Sequence, residues 1–218
     1  MAKLTLFEML KRWIKIPLFI YVGALVIECL AAVLAIFFLS GAAPDENAQR
    51  GAGLSLVLMG GMALIELVMN LAVAVLFLRL LYKAVQKAQG FATPFTYVSP
   101  GWAVGYWFIP LMNLYRPFEV VKALFKACAE QAGGKPTAGE QLLGAWWAMF
   151  LLSNIVGFMV ARMDTDMNSA AGITVYAEYT LGCNLLFIAA AALFWLVLQR
   201  LVMALDAPAA SLAATQPA

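Results

Sequence analysis

Two glutamates, Glu28 and Glu66, are the residues whose type and position best suit chemistry in this chain. Each interrupts a long apolar run, where an ionisable side chain is costly and commonly functional. Glu28 lies 12 residues after Ile16, where its run begins, and Glu66 lies 13 residues before Arg79, where its run ends. At the rise of an α-helix, these spacings place Glu28 ~18 Å and Glu66 ~20 Å from the membrane boundary at which Ile16 and Arg79 lie. An antiparallel hairpin would therefore bring both carboxyls to one level.

Asparagines add amide groups near this level. Asn70 lies one turn from Glu66 on the same face, Asn154 lies 12 residues into a later apolar run, and Asn184 lies nearer the other boundary. Two neighbouring carboxyls at low dielectric cannot both be ionised, so one is protonated or a cation lies between them. These residues predict a proton or cation site formed by Glu28, Glu66, Asn70 and Asn154.

Two other interpretations of the same residues stay open. In the first, both glutamates are protonated and hydrogen-bond to asparagine or backbone. Each such bond between helices contributes ~0.6–2 kcal/mol to their association. Alternatively, the cluster binds a substrate amine or another polar group. Depth along a helix does not determine which way a side chain faces, so the sequence does not establish that Glu28 and Glu66 meet.

Four long apolar runs must position these residues. Hydrophobic residues make up 64% of the 218-residue chain and charged residues 12%, against about 25% charged in soluble domains. Each run reaches the ~20 residues that cross a bilayer. The predicted fold class is an all-α membrane protein with four transmembrane helices, at residues 16–39, 53–78, 142–161 and 179–198.

Shorter segments flank the transmembrane domain, which we place at residues 16–205. Residues 1–15 form a basic arm whose apolar positions have helical spacing, which predicts an amphipathic segment on the membrane surface. A polar loop is expected at 40–52 and a disordered tail at 206–218. The first apolar run is too long for a cleavable signal, whose apolar region has ~7–15 residues.

One apolar segment, 99–117, is broken by prolines and glycines and reads SPGWAVGYWFIPLMNLYRP. Ser99 is suited to cap a helix and Pro100 to begin it. Pro110 disfavours helix at the residue before it. Pro117 can begin a second, amphipathic helix on the cytoplasmic face. We predict a re-entrant or interfacial elbow followed by this surface helix, together spanning 99–133.

The distribution of basic residues supports this elbow. If it does not cross, 12 of the 14 Lys and Arg residues share one side, and only Arg50 and Arg162 lie opposite. The positive-inside rule then predicts four crossings with both termini cytoplasmic. Basic residues on this face are also predicted to attract anionic lipid, namely Lys83, Lys87, Arg116, Lys122 and Lys126.

The elbow sequence resembles the hallmark of a bacterial membrane family known as domain of unknown function 4328. Tyr106 stands where that family more often has Trp, and the resemblance extends over roughly residues 15–205. It implies a multi-helix protein of a bacterial inner (plasma) membrane, with no activity or residue role to transfer. The motif positions are Pro100, Gly101, Trp102, Ala103, Val104, Gly105, Trp107, Phe108, Ile109, Pro110, Asn113, Leu114, Arg116 and Pro117.

Composition narrows the function. The sequence has no His, which excludes His-based metal ligation and His-dependent catalysis, and its net charge of +2 does not suggest nucleic-acid binding. We expect no enzyme activity, cofactor or metal. The first expectation is a structural or interaction module in the lipid bilayer, as a homo-oligomer or with a membrane partner. The alternative is a small transporter or channel component that uses Glu28 and Glu66.

Overall fold

The computed structural model describes residues 5–40, 46–133 and 139–207, which form six α-helices and two short 3₁₀ turns. Four helices, α1, α2, α5 and α6, are long and apolar enough to cross a membrane, which confirms the four predicted spans by length and composition. The helices are α1 Leu6–Leu39, α2 Glu46–Ala88, α3 Pro100–Gly105, α4 Arg116–Gln131, α5 Gly139–Val160 and α6 Ala170–Asp206, and the 3₁₀ turns are Tyr106–Phe108 and Met112–Leu114.

Helix α2 is longer than predicted, and its first turns replace part of the expected loop at 40–52. Arg50 pairs with Glu46 one turn earlier at 2.6 Å, which supports helix in this polar stretch. The glycine at 51 lies where a Cβ atom would come within 2.8 Å of the Phe38 ring, so it permits α1 and α2 to approach closely. Polar residues thus mark the edge of the apolar run without ending the helix.

The predicted arm at residues 1–15 is helical where the structure describes it. Residues 6–15 are the first turns of α1 and continue directly into the apolar run through Pro17. The side chains of Phe7, Leu10 and Ile14 are buried in the protein. Helical spacing identifies an apolar face but does not say whether lipid or protein covers it, and here protein does. Residues 1–4 and most of the predicted tail, 208–218, lie outside the described residues.

The described residues divide into two compact units. The glutamate unit comprises residues 15–40, 46–73 and 148–192. The elbow unit comprises residues 5–14, 74–133, 139–147 and 193–207. Both units draw on α1, α2, α5 and α6.

Small side chains form much of the core of the glutamate unit. Ala31, Ala32 and Ala35 of α1 pack with Met59 of α2 and Ala177 of α6. Small residues let helix backbones approach closely, which is how helices associate in a bilayer, where apolar burial between them gives little driving force.

In the elbow unit, polar contacts join three helix ends. The Thr5 hydroxyl accepts from the Glu8 amide at 3.1 Å, capping α1, and donates to the Asp206 carboxylate at 2.6 Å. The Lys87 ammonium donates to the Leu205 carbonyl at 2.5 Å and pairs with Asp206 at 3.3 Å. The start of α1 and the ends of α2 and α6 therefore lie together within this unit.

Helix α4 turns one apolar face to the interior of the elbow unit. Its buried residues are Pro117, Val120, Val121, Leu124, Phe125 and Cys128. Burial raises the pKa of the Cys128 thiol to about 11, so the thiol is neutral at physiological pH and packs as an apolar group. The helix ends at Gln131, and Gly133 has a φ of 94°, a left-handed conformation that favours glycine.

Candidate functional site

Glu28 of α1 is buried in the glutamate unit, with 5% of its surface exposed. Asn184 of α6 is equally buried, and its amide nitrogen donates to the Glu28 Oε2 atom at 2.5 Å. The sequence placed Asn184 near this level without assigning it to the site. The contact links two helices that are far apart in sequence through a polar bond in an apolar interior.

Glu66 of α2 is the electrostatic neighbour of Glu28, so the structure brings the two predicted carboxyls together. Its side chain is partly buried. The Glu66 Oε1 atom is buried and has no hydrogen-bond partner within the described part of the chain. Leaving a buried polar oxygen without a partner costs about 1–3 kcal/mol, and more when the group is charged.

Tyr21 and Asn70 complete this cluster. Tyr21 lies two helical turns before Glu28 on α1, and its buried hydroxyl interacts with the Asn70 amide and with both carboxyls. Asn70 lies one turn after Glu66 and is exposed on the surface of α2. We call the set of Tyr21, Glu28, Glu66, Asn70 and Asn184 the carboxyl cluster.

Asn154, the fourth predicted site residue, does not join the cluster. Its side chain is exposed, and its amide nitrogen donates to the Phe150 carbonyl of its own helix at 2.7 Å. The prediction used depth along the helix alone, and α5 presents Asn154 on a face that does not meet the cluster.

The sequence patterns did not single out Tyr21 or Cys183 as site residues. Tyr21 precedes Glu28 by seven residues, a spacing that places both on one helix face, so helical periodicity could have identified it. Cys183 is buried beside the two carboxyls and adjoins Asn184 in sequence. A cysteine among apolar neighbours gives no pattern that would single it out.

Chemically, the cluster offers two carboxyls, two amides and a phenol hydroxyl in an apolar helical unit. One proton shared between the carboxyls removes their mutual repulsion, and a small cation between them does the same. The Asn184 donor stabilises Glu28, whereas Glu66 has an oxygen free to accept a proton or to ligate a cation.

The elbow has its own well-defined geometry. The Ser99 hydroxyl accepts from the Trp102 amide at 3.4 Å and caps α3, with Pro100 at the first helical position. The helical conformation ends after Phe108, and Ile109 is extended immediately before Pro110. The break thus falls where the proline was predicted to place it, although only six residues of the preceding segment are α-helical.

An aromatic cluster holds the elbow within its unit. Trp107 packs edge-on against Phe77 of α2 at 5.6 Å and Trp147 of α5 at 5.9 Å, measured between ring centroids. Phe77 also packs against Phe194 of α6 at 5.2 Å. The Trp147 indole nitrogen donates to the Leu114 carbonyl at 3.0 Å, which satisfies a backbone group in the irregular segment.

Arg116, at the start of α4, belongs to a polar network with Tyr97 and Glu119. The guanidinium donates to the Tyr97 hydroxyl at 3.2 Å and the Glu119 carboxylate at 3.1 Å. The Tyr97 hydroxyl in turn donates to Glu119 at 2.9 Å. Partial burial and the bond to Glu119 raise the pKa of Tyr97, so the phenol retains the proton that this bond needs.

Four apolar helices with a carboxyl cluster and a proline-broken elbow define a polytopic helical membrane protein. A family model described as domain of unknown function, DUF4328, matches residues 43–202, and the chain belongs to this family. This confirms the resemblance found in the elbow sequence. The match includes Glu66, Asn184 and the whole elbow, whereas Tyr21 and Glu28 precede it. No curated protein and no solved structure matches the chain.

Proposed function

We propose that the carboxyl cluster binds a proton or a small monovalent cation, and that the protein is a non-enzymatic component of a membrane transporter or channel. The observation that carries this proposal is the pair of neighbouring carboxyls at Glu28 and Glu66, of which the buried Glu66 Oε1 atom has no hydrogen-bond donor among the described residues. A purely structural bond between helices would favour satisfying this oxygen, as Asn184 satisfies Glu28.

The composition of the cluster favours a proton or a monovalent ion over calcium. Calcium sites in proteins draw on several carboxylates besides carbonyls and waters, and the described residues hold no group of three or more His, Cys, Asp or Glu side chains that could bind a metal ion. The cluster provides the carboxyls of Glu28 and Glu66, one phenol and two amides, and the Asn184 amide nitrogen already faces Glu28. One added positive charge neutralises one of the two carboxylates and leaves the other hydrogen-bonded to that amide.

The proposal includes an orientation. The start of α1 and the end of α6 lie together in the elbow unit, which agrees with an even number of crossings. We place this end in the cytoplasm because the positive-inside rule assigns it most of the Lys and Arg residues. The elbow then does not cross the bilayer, and the membrane is the inner (plasma) membrane of a bacterium.

Flux measurements on Glu66→Gln test the proposed ion site. Purified protein is reconstituted in vesicles, and proton or potassium flux is followed with an internal dye under an imposed membrane potential. Wild type is expected to raise the flux above that of protein-free vesicles. The Glu66→Gln variant should return it to that background, because an amide cannot take up a proton or offer a charged ligand.

The matched control is Glu178→Gln, the same change at an exposed glutamate of the same unit. It should keep the wild-type flux. Wild-type vesicles that conduct no better than protein-free ones would refute the proposal, as would equal flux in wild type and Glu66→Gln.

A second candidate function, an interaction module that self-associates through α2, is favoured by the exposure of that helix. Of the apolar 18-residue stretch by which α2 could cross a membrane, only 6% is buried inside the protein, against 39% of the corresponding stretch of α1. Its exposed positions include Gly53, Val57, Gly60 and Leu64, which alternate by four and three residues. This spacing is the seam of a left-handed helix pair, and small residues at such a seam allow close approach.

The test of self-association is Gly60→Leu. A Cβ atom at this position meets no atom within 4 Å in the monomer, so the variant should fold normally while blocking a partner helix. Native mass spectrometry in mild detergent is expected to show a dimer for wild type and mainly monomer for the variant. Gly23→Leu on α1, also unobstructed, is the control and should remain dimeric. A monomeric wild type would exclude this candidate.

A further inference from the structure

We propose that a groove beside α4 binds the phosphate of an anionic phospholipid. The groove lies within the elbow unit and has a volume of about 420 Å³. It is lined by Tyr97, Tyr115, Phe118, Glu119, Lys122, Ala123 and Lys126. These residues are on the side of α4 away from its buried Leu124 and Cys128, so the groove opens outward from the elbow unit.

The charges that line the groove are unbalanced. Its one carboxylate, Glu119, is already engaged by Arg116 at 3.1 Å and by the Tyr97 hydroxyl at 2.9 Å. Lys122 and Lys126 form no ion pair within residues 5–40, 46–133 and 139–207. They are one helical turn apart, where Cβ atoms lie ~5–6 Å from each other. Two free ammonium groups at this spacing can contact one phosphate together.

The Arg116 guanidinium neutralises the one carboxylate that lines the groove. Its Nε atom is buried and has no hydrogen-bond partner in the described residues, although its Nη1 atom contacts Tyr97 and Glu119. The network holds the arginine in place and neutralises Glu119. A negative ligand in the groove therefore meets two lysines and no uncompensated carboxylate.

Apolar surroundings identify the source of the phosphate as a lipid. Tyr97 and Tyr115 line the groove with half-exposed rings, whose apolar bodies and polar hydroxyls suit the headgroup level of a bilayer. The elbow that leads into α4 exposes Phe108 by 72% and Leu111 by 77%. Such side chains offer a surface for acyl chains, which a soluble phosphate does not need.

The headgroup is expected to be anionic. A phosphatidylcholine headgroup would bring a fixed positive charge close to Lys122 and Lys126, whereas phosphatidylglycerol carries net negative charge. Each lysine near a lipid surface contributes about 1 kcal/mol to the attraction of anionic lipid. The pair therefore gives a preference for anionic lipid.

The experiment measures retained lipid on the full chain. Protein in mild detergent is mixed with phosphatidylglycerol or phosphatidylcholine, and bound lipid is counted by native mass spectrometry. Wild type should retain phosphatidylglycerol in preference to phosphatidylcholine. The double variant Lys122→Gln with Lys126→Gln should bind phosphatidylglycerol about thirtyfold more weakly. Its thermal unfolding is recorded in parallel and should match wild type, because both lysines are outside the buried face of α4.

The control is Arg79→Gln with Lys83→Gln, which removes the same charge from a part of the elbow unit that does not line the groove. It should bind phosphatidylglycerol like wild type. Equal weakening in both double variants would overturn the site in favour of general electrostatic attraction. Displacement of the lipid by millimolar inorganic phosphate would overturn the assignment to a lipid, since the groove would then recognise phosphate alone.

Discussion

Replacing Trp147 by alanine is expected to lower the melting temperature of the protein by roughly 10 °C. Trp147 is 7% exposed and packs against Trp107 of the elbow and Trp146 of its own helix. Its indole nitrogen also donates to the Leu114 carbonyl. Truncating a buried tryptophan costs about 3–5 kcal/mol because a cavity remains. Thermal unfolding in detergent, followed by circular dichroism, measures the effect.

Two further variants separate packing from hydrogen bonding. Trp147→Phe keeps most of the ring contact and should lose only about 1 kcal/mol, the usual net value of one hydrogen bond. Trp102→Ala removes a family-motif tryptophan that is 56% exposed, and it should cost less than Trp147→Ala. If Trp102→Ala proves as costly as Trp147→Ala, the aromatic cluster does not hold the elbow in place.

Local rules predicted the start of α3 and the break before Pro110 because their determinants are neighbours in sequence. Ser99 caps the helix that Pro100 begins, and the chain is extended at Ile109 because Pro110 follows it. The partners that hold this segment are remote. Phe77 and Trp147 come from other helices, and no spacing within the motif indicates that they pack against Trp107.

Counting residues gave the level of Glu28 and Glu66, and the two carboxyls are neighbours in the structure. The rotation of each helix about its axis does not follow from counting. Asn154 therefore faces away from the cluster, while Asn184, placed at a less suitable depth, donates to Glu28. The burial of one face of residues 6–15 in the protein could not be predicted for a similar reason, because periodicity identifies an apolar face and does not identify what packs against it.

The second large effect concerns Asn184. Its replacement by leucine, which removes the donor and keeps the branched shape of the side chain, is expected to destabilise the protein by about 1–3 kcal/mol. The Glu28 oxygen that accepts at 2.5 Å would be left in a buried site without its partner. Glu66→Gln should instead stay within about 0.5 kcal/mol of wild type, since glutamine keeps the size of the side chain and its amide can donate to the neighbouring Glu28 carboxyl in place of the Glu66 carboxyl. Thermal unfolding of both variants under one detergent condition makes the comparison.

Asn154→Leu is the matched control, because it removes an amide that is exposed and bonded only to its own helix. It should change stability far less than Asn184→Leu. A large loss of stability in Asn184→Leu alone would show that Glu28 and Asn184 form a stabilising pair. Glu66 would then be the carboxyl that is available to bind a proton or cation. A large stability loss in Glu66→Gln would argue the opposite, that Glu66 joins helices and its role is structural. Stability and flux measured on the same Glu66→Gln protein therefore distinguish the two roles of this residue.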